Sequence, residues 1–191
     1  MQPTPATVLR ILMCIAATLI PCLAEPSPGK SSETAPIHVP PDQIQAYFSP
    51  KGGCTAAIIE EIRGAKQFIL VQAYSFTSAP IAGALVEAFR SGIRVEAVLD
   101  KSNKSANYSE ATFLKNARVP TWIDGKHAIA HNKIIIIDGS TVITGSFNFT
   151  KAGEESNAEN LLIIKSPELA ARYIANFQAH KAHAEWYTGS K

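Results

Sequence analysis

The chain has 191 residues, 46% of them apolar, with 18 basic and 16 acidic side chains, a balance that suits one globular domain with its own core and excludes a disordered or strongly basic protein. Of its three cysteines only Cys54 lies beyond position 22, which excludes a disulfide scaffold.

The first 24 residues read as a secretory signal: one positive charge at Arg10, an apolar run from Ile11 to Ile20, and Cys22-Leu23-Ala24 as a small-residue cleavage site before Glu25. That run is too short for a comfortable membrane span. Export to the periplasm or the medium is therefore expected, with no stable membrane association once the signal is cut. Cleavage would remove Cys14 and Cys22 and leave Cys54 as a single thiol, read as a small buried residue at the start of a helix. Residues 25–42, with Pro26, Pro28, Pro36, Pro40 and Pro41, read as a flexible leader, and residues 43–191 as the folded domain.

Within the domain, strands and helices alternate. Ile44 to Phe48 suits a short strand, and Cys54 to Gly64 a helix. Phe68 to Phe76 reads as a buried strand, Pro80 to Ser91 as a helix closed by Gly92, and Ile93 to Leu99 as the next strand. A polar loop from Asp100 to Tyr108 leads to a helix over Ser109 to Ala117 and a strand over Val119 to Ile123. This rhythm predicts an α/β/α sandwich around a central mixed, largely parallel sheet. The last third departs from it, with a hairpin after His131, a strand over Asn160 to Lys165, and a helix from Pro167 to about Trp186 burying Leu169, Tyr173, Ile174 and Phe177.

The hairpin carries the chemistry. His131-Asn132-Lys133 precedes four isoleucines and Asp138-Gly139, a strong turn signal, and the return strand ends in Gly145-Ser146-Phe147-Asn148. A two-residue loop places His131 opposite Ser146 and Lys133 opposite Thr144, with Asn148 further along the same face. A three-residue loop would shift the register by one and turn Ser146 away. Histidine can attack phosphorus or protonate a leaving alkoxide, a lysine offers fixed positive charge, and Ser146 and Asn148 offer neutral donors to phosphoryl oxygens. Asp138, inside the turn, reads as a structural carboxylate, while Glu159 at the head of the next strand is the candidate for holding a histidine Nδ1 proton. Residues 101–151 carry seven basic side chains against three acidic ones, a local positive balance that fits an anionic substrate.

His131-x-Lys133-(x)4-Asp138-(x)6-Gly145-Ser146-x-Asn148 resembles the HKD motif of the phospholipase D superfamily. The flanking His127-Ala-Ile-Ala-His131, Gly145-Ser-Phe-Asn-Phe-Thr150 and Asn157-Ala-Glu-Asn160 look like its small bacterial Nuc-type endonucleases. The resemblance spans residues 42–187. It implies a metal-independent, cofactor-free phosphodiesterase working through a phosphohistidine, with His131, Lys133, Ser146, Asn148 and Glu159 as site residues. Larger members carry two motifs, and this chain has one, so the resemblance implies a homodimer sharing one active site. A nonspecific endonuclease acting on DNA, or also on RNA, is the favoured reading, resting on the positive segment 101–151, the small single-motif form and the likeness to the endonucleases, while the polar loop from Lys101 to Tyr108 argues against a lipid substrate. A phospholipase-type lipid phosphodiesterase is the alternative.

Other candidates fit plainer roles. His180 and His183 lack a Cys, Asp or third His at ligand spacing and read as a solvated helix end, with no metal expected. His127 reads as a loop histidine that could line the mouth of the site. Gln72 and Tyr74 share a strand face and could approach the site, with core packing the preferred reading for Tyr74. Trp122 reads as buried in its strand, and Tyr108 could stack on bases.

Overall fold

The computed structural model describes residues 36–104 and 109–189; the expected signal over residues 1–24, most of the leader, and Tyr108 lie outside the described residues. The strands are β1 (Ile44–Ser49), β2 (Phe68–Ala73), β3 (Arg94–Asp100), β4 (Thr121–Asp124), β5 (Lys133–Ile137), β6 (Thr141–Gly145), β7 (Glu159–Lys165) and β8 (Glu185–Trp186). The helices are α1 (Cys54–Gly64), α2 (Ala79–Arg90), α3 (Ala111–Asn116), α4 (Lys151–Glu155) and α5 (Pro167–His183). The strands form one mixed sheet in the order β1-β7-β6-β5-β2-β3-β4-β8.

The α/β sandwich and the mixed sheet match expectation, but parallel pairing is the smaller share, confined to β2–β3 and β3–β4. The remaining pairs are antiparallel: β5 and β6 form a hairpin beside β2, β7 runs between β6 and β1, and β8 returns along β4.

Both faces of the central strands are covered, which explains their unbroken apolar runs. Ile135 and Ile137 pack with Val71, Val95 and Leu99 against α1 and α2, while Ile134 and Ile136 pack with Leu70, Val98 and Val142 against Ala170 and Phe177 of α5. Cys54 is wholly buried at the start of α1. Burial, and behind it the charge of Glu154, pushes its thiol pKa up, so it is packed as an apolar residue.

Two boundaries differ from the expected ones. The terminal helix stops at His183, and Glu185–Trp186 instead joins the sheet as an edge strand on β4, where Trp186 meets Trp122 edge to face at 4.9 Å. The hairpin loop is also one residue longer than a two-residue turn. Asp138 and Gly139 both take positive φ and the Ser140 amide bonds to the Ile137 carbonyl, but Ile137 faces Thr141 and Ile135 faces Ile143, so Ser140 is surplus in the return strand. The pairing of His131 with Ser146 expected from a two-residue loop is thereby overturned.

Candidate active site

β5 and the segment leading into it carry His131 and Lys133. Lys133 is buried, 7% exposed, on the face that its neighbour Ile135 gives to the core. Its Nζ donates to the His131 carbonyl at 2.9 Å and lies 5.3 Å from the centre of the Tyr74 ring. Burial pulls its pKa below the ordinary lysine value, and the charge of Glu159 pulls the other way. His131 itself is exposed, and its ring sits 4.6 Å from that of Tyr74, tilted by 56°. Tyr74 is thus a neighbour of the motif rather than a core residue. Beside His131 and Lys133 opens a cleft of about 410 Å³, whose far wall is Arg172, Tyr173 and Asn176 of α5. Sequence reading missed this wall, and its signal was the 172/176 spacing that puts both residues on one helix face.

Beyond β6 the ladder gives way. Gly145 takes φ +154°, and a Cβ there would stand 2.2 Å from the Asn160 carbonyl oxygen, so only glycine lets β6 approach β7 so closely. The chain then alternates: Phe147 and Phe149 are fully buried in the core, Ser146 is exposed and Asn148 half-buried. This alternation brings Ser146 and Asn148 to the outer side by a route that does not use the expected register. Ser146 Oγ accepts from the Asn160 amide at 3.0 Å, which leaves its own proton for another acceptor. Asn148 Oδ1 is buried without a partner, as is Gln72 Oε1 on β2.

Glu159 accepts from Asn157 Nδ2 at 3.2 Å and acts on Lys133 through its charge; among the described residues no hydrogen bond joins it to His131. Asp138 lies at the other end of the hairpin, where its carboxylate takes the amides of Lys66, Gln67 and Phe68 at 2.7, 2.8 and 2.9 Å. Burial raises its pKa, but those three bonds and the Lys66 charge outweigh it and hold the carboxyl below its usual range. A second carboxylate, Asp100, is buried at the end of β3 and takes the Ala130 amide at 2.7 Å, fixing the residue before His131.

His127, His180 and His183 do not behave as isolated surface histidines. They converge on the buried Asp124 at the end of β4, a grouping that sequence spacing does not reveal because its two halves lie more than fifty residues apart. Trp122, half-buried, carries the Lys181 ammonium 4.2 Å above its ring and is occupied by packing.

A mixed sheet between helix layers, with the exposed imidazole of His131 two residues from the buried ammonium of Lys133, is an arrangement that suits phosphodiester hydrolysis. The comparisons place it further. Residues 58–181 match the model of the cardiolipin synthase, phospholipase D-like domain. The chain is 43% identical over 140 residues to a phospholipase D of Rickettsia felis, covering 73% of this chain and 70% of that protein. Nuc of Salmonella typhimurium, a phospholipase D family member of known crystal structure, superposes with a TM-score of 0.72 at 37% identity, over 75% of this chain and 97% of its own. NucT of Helicobacter pylori shares the fold at a TM-score of 0.68 and 22% identity, over 75% of this chain and 99% of its own. The chain belongs to the phospholipase D superfamily and is a phosphodiesterase.

Proposed function

We propose that this phosphodiesterase is an exported nonspecific endonuclease that cuts DNA, and RNA as a secondary substrate, at a site shared by two identical chains. The observation that carries the reading is the exposed imidazole of His131 beside the buried Lys133, one such pair per chain, where the chemistry needs a nucleophile and an acid at once. His131 of one subunit attacks phosphorus, and the P–O bond to the leaving strand breaks as the partner subunit's His131 gives that oxygen a proton. Water then attacks the phosphohistidine, loses its proton to the same partner imidazole, and frees the first. No metal is assigned to these steps.

Lys133 from each chain supplies charge to the phosphoryl oxygens and Ser146 its hydroxyl proton. A half-turn of the Asn148 carboxamide would present Nδ2 where Oδ1 now lacks a partner. Glu159 serves as the orienting carboxylate once it exchanges Asn157 for the imidazole. The cleft with Arg172 and the positive balance of residues 101–151 favour a polyanion over a lipid, whose acyl chains would need apolar loops.

The test sets supercoiled plasmid, single-stranded RNA and phosphatidylcholine vesicles side by side with wild type and His131→Ala. Plasmid nicking that vanishes in the variant supports the endonuclease. Headgroup release from vesicles with intact plasmid would overturn it in favour of the lipid reading, which the Rickettsia relatives' name suggests.

A further inference from the structure

Four ligand-bearing side chains meet between the end of β4 and the last turn of α5, away from the hairpin. Asp124 is fully buried, and its Oδ2 lies 2.9 Å from His127 Nδ1, 2.8 Å from His180 Nδ1 and 3.3 Å from His183 Nε2. All four donor atoms fall within 4.8 Å of one another. The His127 and His180 rings stack, with centroids 4.7 Å apart.

Hydrogen bonding accounts poorly for this convergence. A carboxylate oxygen offers two lone-pair directions, yet Oδ2 faces three ring nitrogens, while Oδ1 is taken by the Lys126 amide at 3.1 Å. A tetrahedral ion with ligands about 2.0–2.1 Å away separates neighbouring donors by about 3.3 Å; the three distances from Asp124 to the histidine nitrogens are near that value, and the histidine nitrogens, all within 4.8 Å, would draw together around the ion. Three imidazoles and a carboxylate are a donor set that suits zinc. The sequence supplies them as two short chelates, Asp124-x-x-His127 and His180-x-x-His183, each presenting two donors from one turn.

We propose that Asp124, His127, His180 and His183 form a closed, four-coordinate zinc site that ties the segment in front of His131 to the end of α5. The ligand carboxylate is held in place for the ion: it is fully buried, its Oδ1 takes the Lys126 amide and its Oδ2 faces the three ring nitrogens. Entry is open on one side, where the His127 side chain is 43% exposed. The site is structural, since four protein ligands leave no position for water or substrate. Its effect on the active site is positional. Asp100 already holds the Ala130 amide, and zinc holds His127, so the residues one and four places before His131 are both anchored.

The test strips the full-length protein with chelator, returns it to metal-free buffer and adds zinc chloride. Bound metal is measured by mass spectrometry and Tm by calorimetry. Wild type and His131→Ala should each take one zinc per chain, with a Tm gain of roughly 5–10 °C at zinc well above its Kd. The double variant His180→Ala/His183→Ala should lose both metal and gain. His127→Ala, altered only on a half-exposed loop, covers the case in which the double variant does not fold, and should bind zinc at least tenfold more weakly. Cobalt in place of zinc should give the intense visible bands of a tetrahedral ion. No zinc uptake by wild type, or equal uptake by the variants, overturns the proposal. Neither readout depends on turnover, so this proposal and the nuclease reading stand or fall separately.

Discussion

Lys133 donates its ammonium to the main-chain carbonyl of His131, so the buried cation of β5 is tied to the backbone of the residue that carries the reactive imidazole. Burial lowers the lysine pKa, and the sign of its stability effect follows. Between the folded and the ordinary value the unfolded chain binds more protons, so stability rises with pH across that window and the charged form is a cost below it. Lys133→Met should therefore keep or raise Tm at pH 7 while lowering kcat on a diester substrate by about 10²–10³-fold. Wild-type activity should also fall on the alkaline side below the ordinary lysine range. A Met variant that loses stability and retains turnover would reverse both assignments.

The ring of Tyr74 touches both motif residues, 4.6 Å from the His131 ring and 5.3 Å from the Lys133 ammonium. Those contacts belong to the ring and not to the hydroxyl. Tyr74→Phe should leave kcat/KM within about threefold of wild type, whereas Tyr74→Leu should lower it about tenfold, the product of a lost aromatic pair and a lost cation–π contact. Steady-state kinetics of the two variants at one pH decides this, and equal losses would shift the role to the hydroxyl.

The central strands were legible as short unbroken apolar runs, as in Ile134 to Ile137, and the helices because their apolar positions repeat at helix period, as in Cys54 to Gly64. The hairpin was legible from Asp138-Gly139, but its register was not, since one surplus residue at Ser140 leaves no mark on the apolar pattern. Tyr74 could not be separated from a core aromatic by spacing, because it follows directly on a buried strand. The Asp124 cluster was invisible for a different reason. Its two halves sit on β4 and α5, and only the tertiary packing of α5 on the sheet brings His180 and His183 to Asp124.

Asp138 links the hairpin turn to the start of β2 through three backbone amides. Asparagine keeps the shape but loses the charge and one acceptor, so Asp138→Asn should cost about 2 kcal/mol, or about 4–8 °C in Tm. Because the folded carboxyl pKa is depressed, its stabilisation is complete above the unfolded value of about 4 and fades as pH falls through the folded one. The gap between wild type and variant should accordingly narrow on acidification from pH 6 towards the unfolding limit. A gap independent of pH would mean that the three bonds do not depend on the carboxylate charge.

One motif histidine per chain, His131, makes the count of subunits per site measurable. If two chains share one site, His131→Ala should lower turnover by at least about 10⁴-fold, and equal amounts of wild type and variant, unfolded together and refolded, should give about one quarter of the activity of the same total of wild type, because only wild-type pairs hold both histidines. Independent sites would give about one half. The intermediate adds a chemical check: brief mixing with labelled diester and alkaline quench should leave a phosphoenzyme that acid destroys, as expected for phosphohistidine, in wild type and not in His131→Ala. Mixed dimers that trap label without completing turnover would go further, since a chain with its nucleophile intact but its partner's acid removed can attack only substrates whose leaving group needs no proton. A p-nitrophenyl diester should therefore release about one equivalent of p-nitrophenolate per mixed dimer and leave the phosphoenzyme trapped, because the partner base that activates water is missing, while plasmid DNA should do neither.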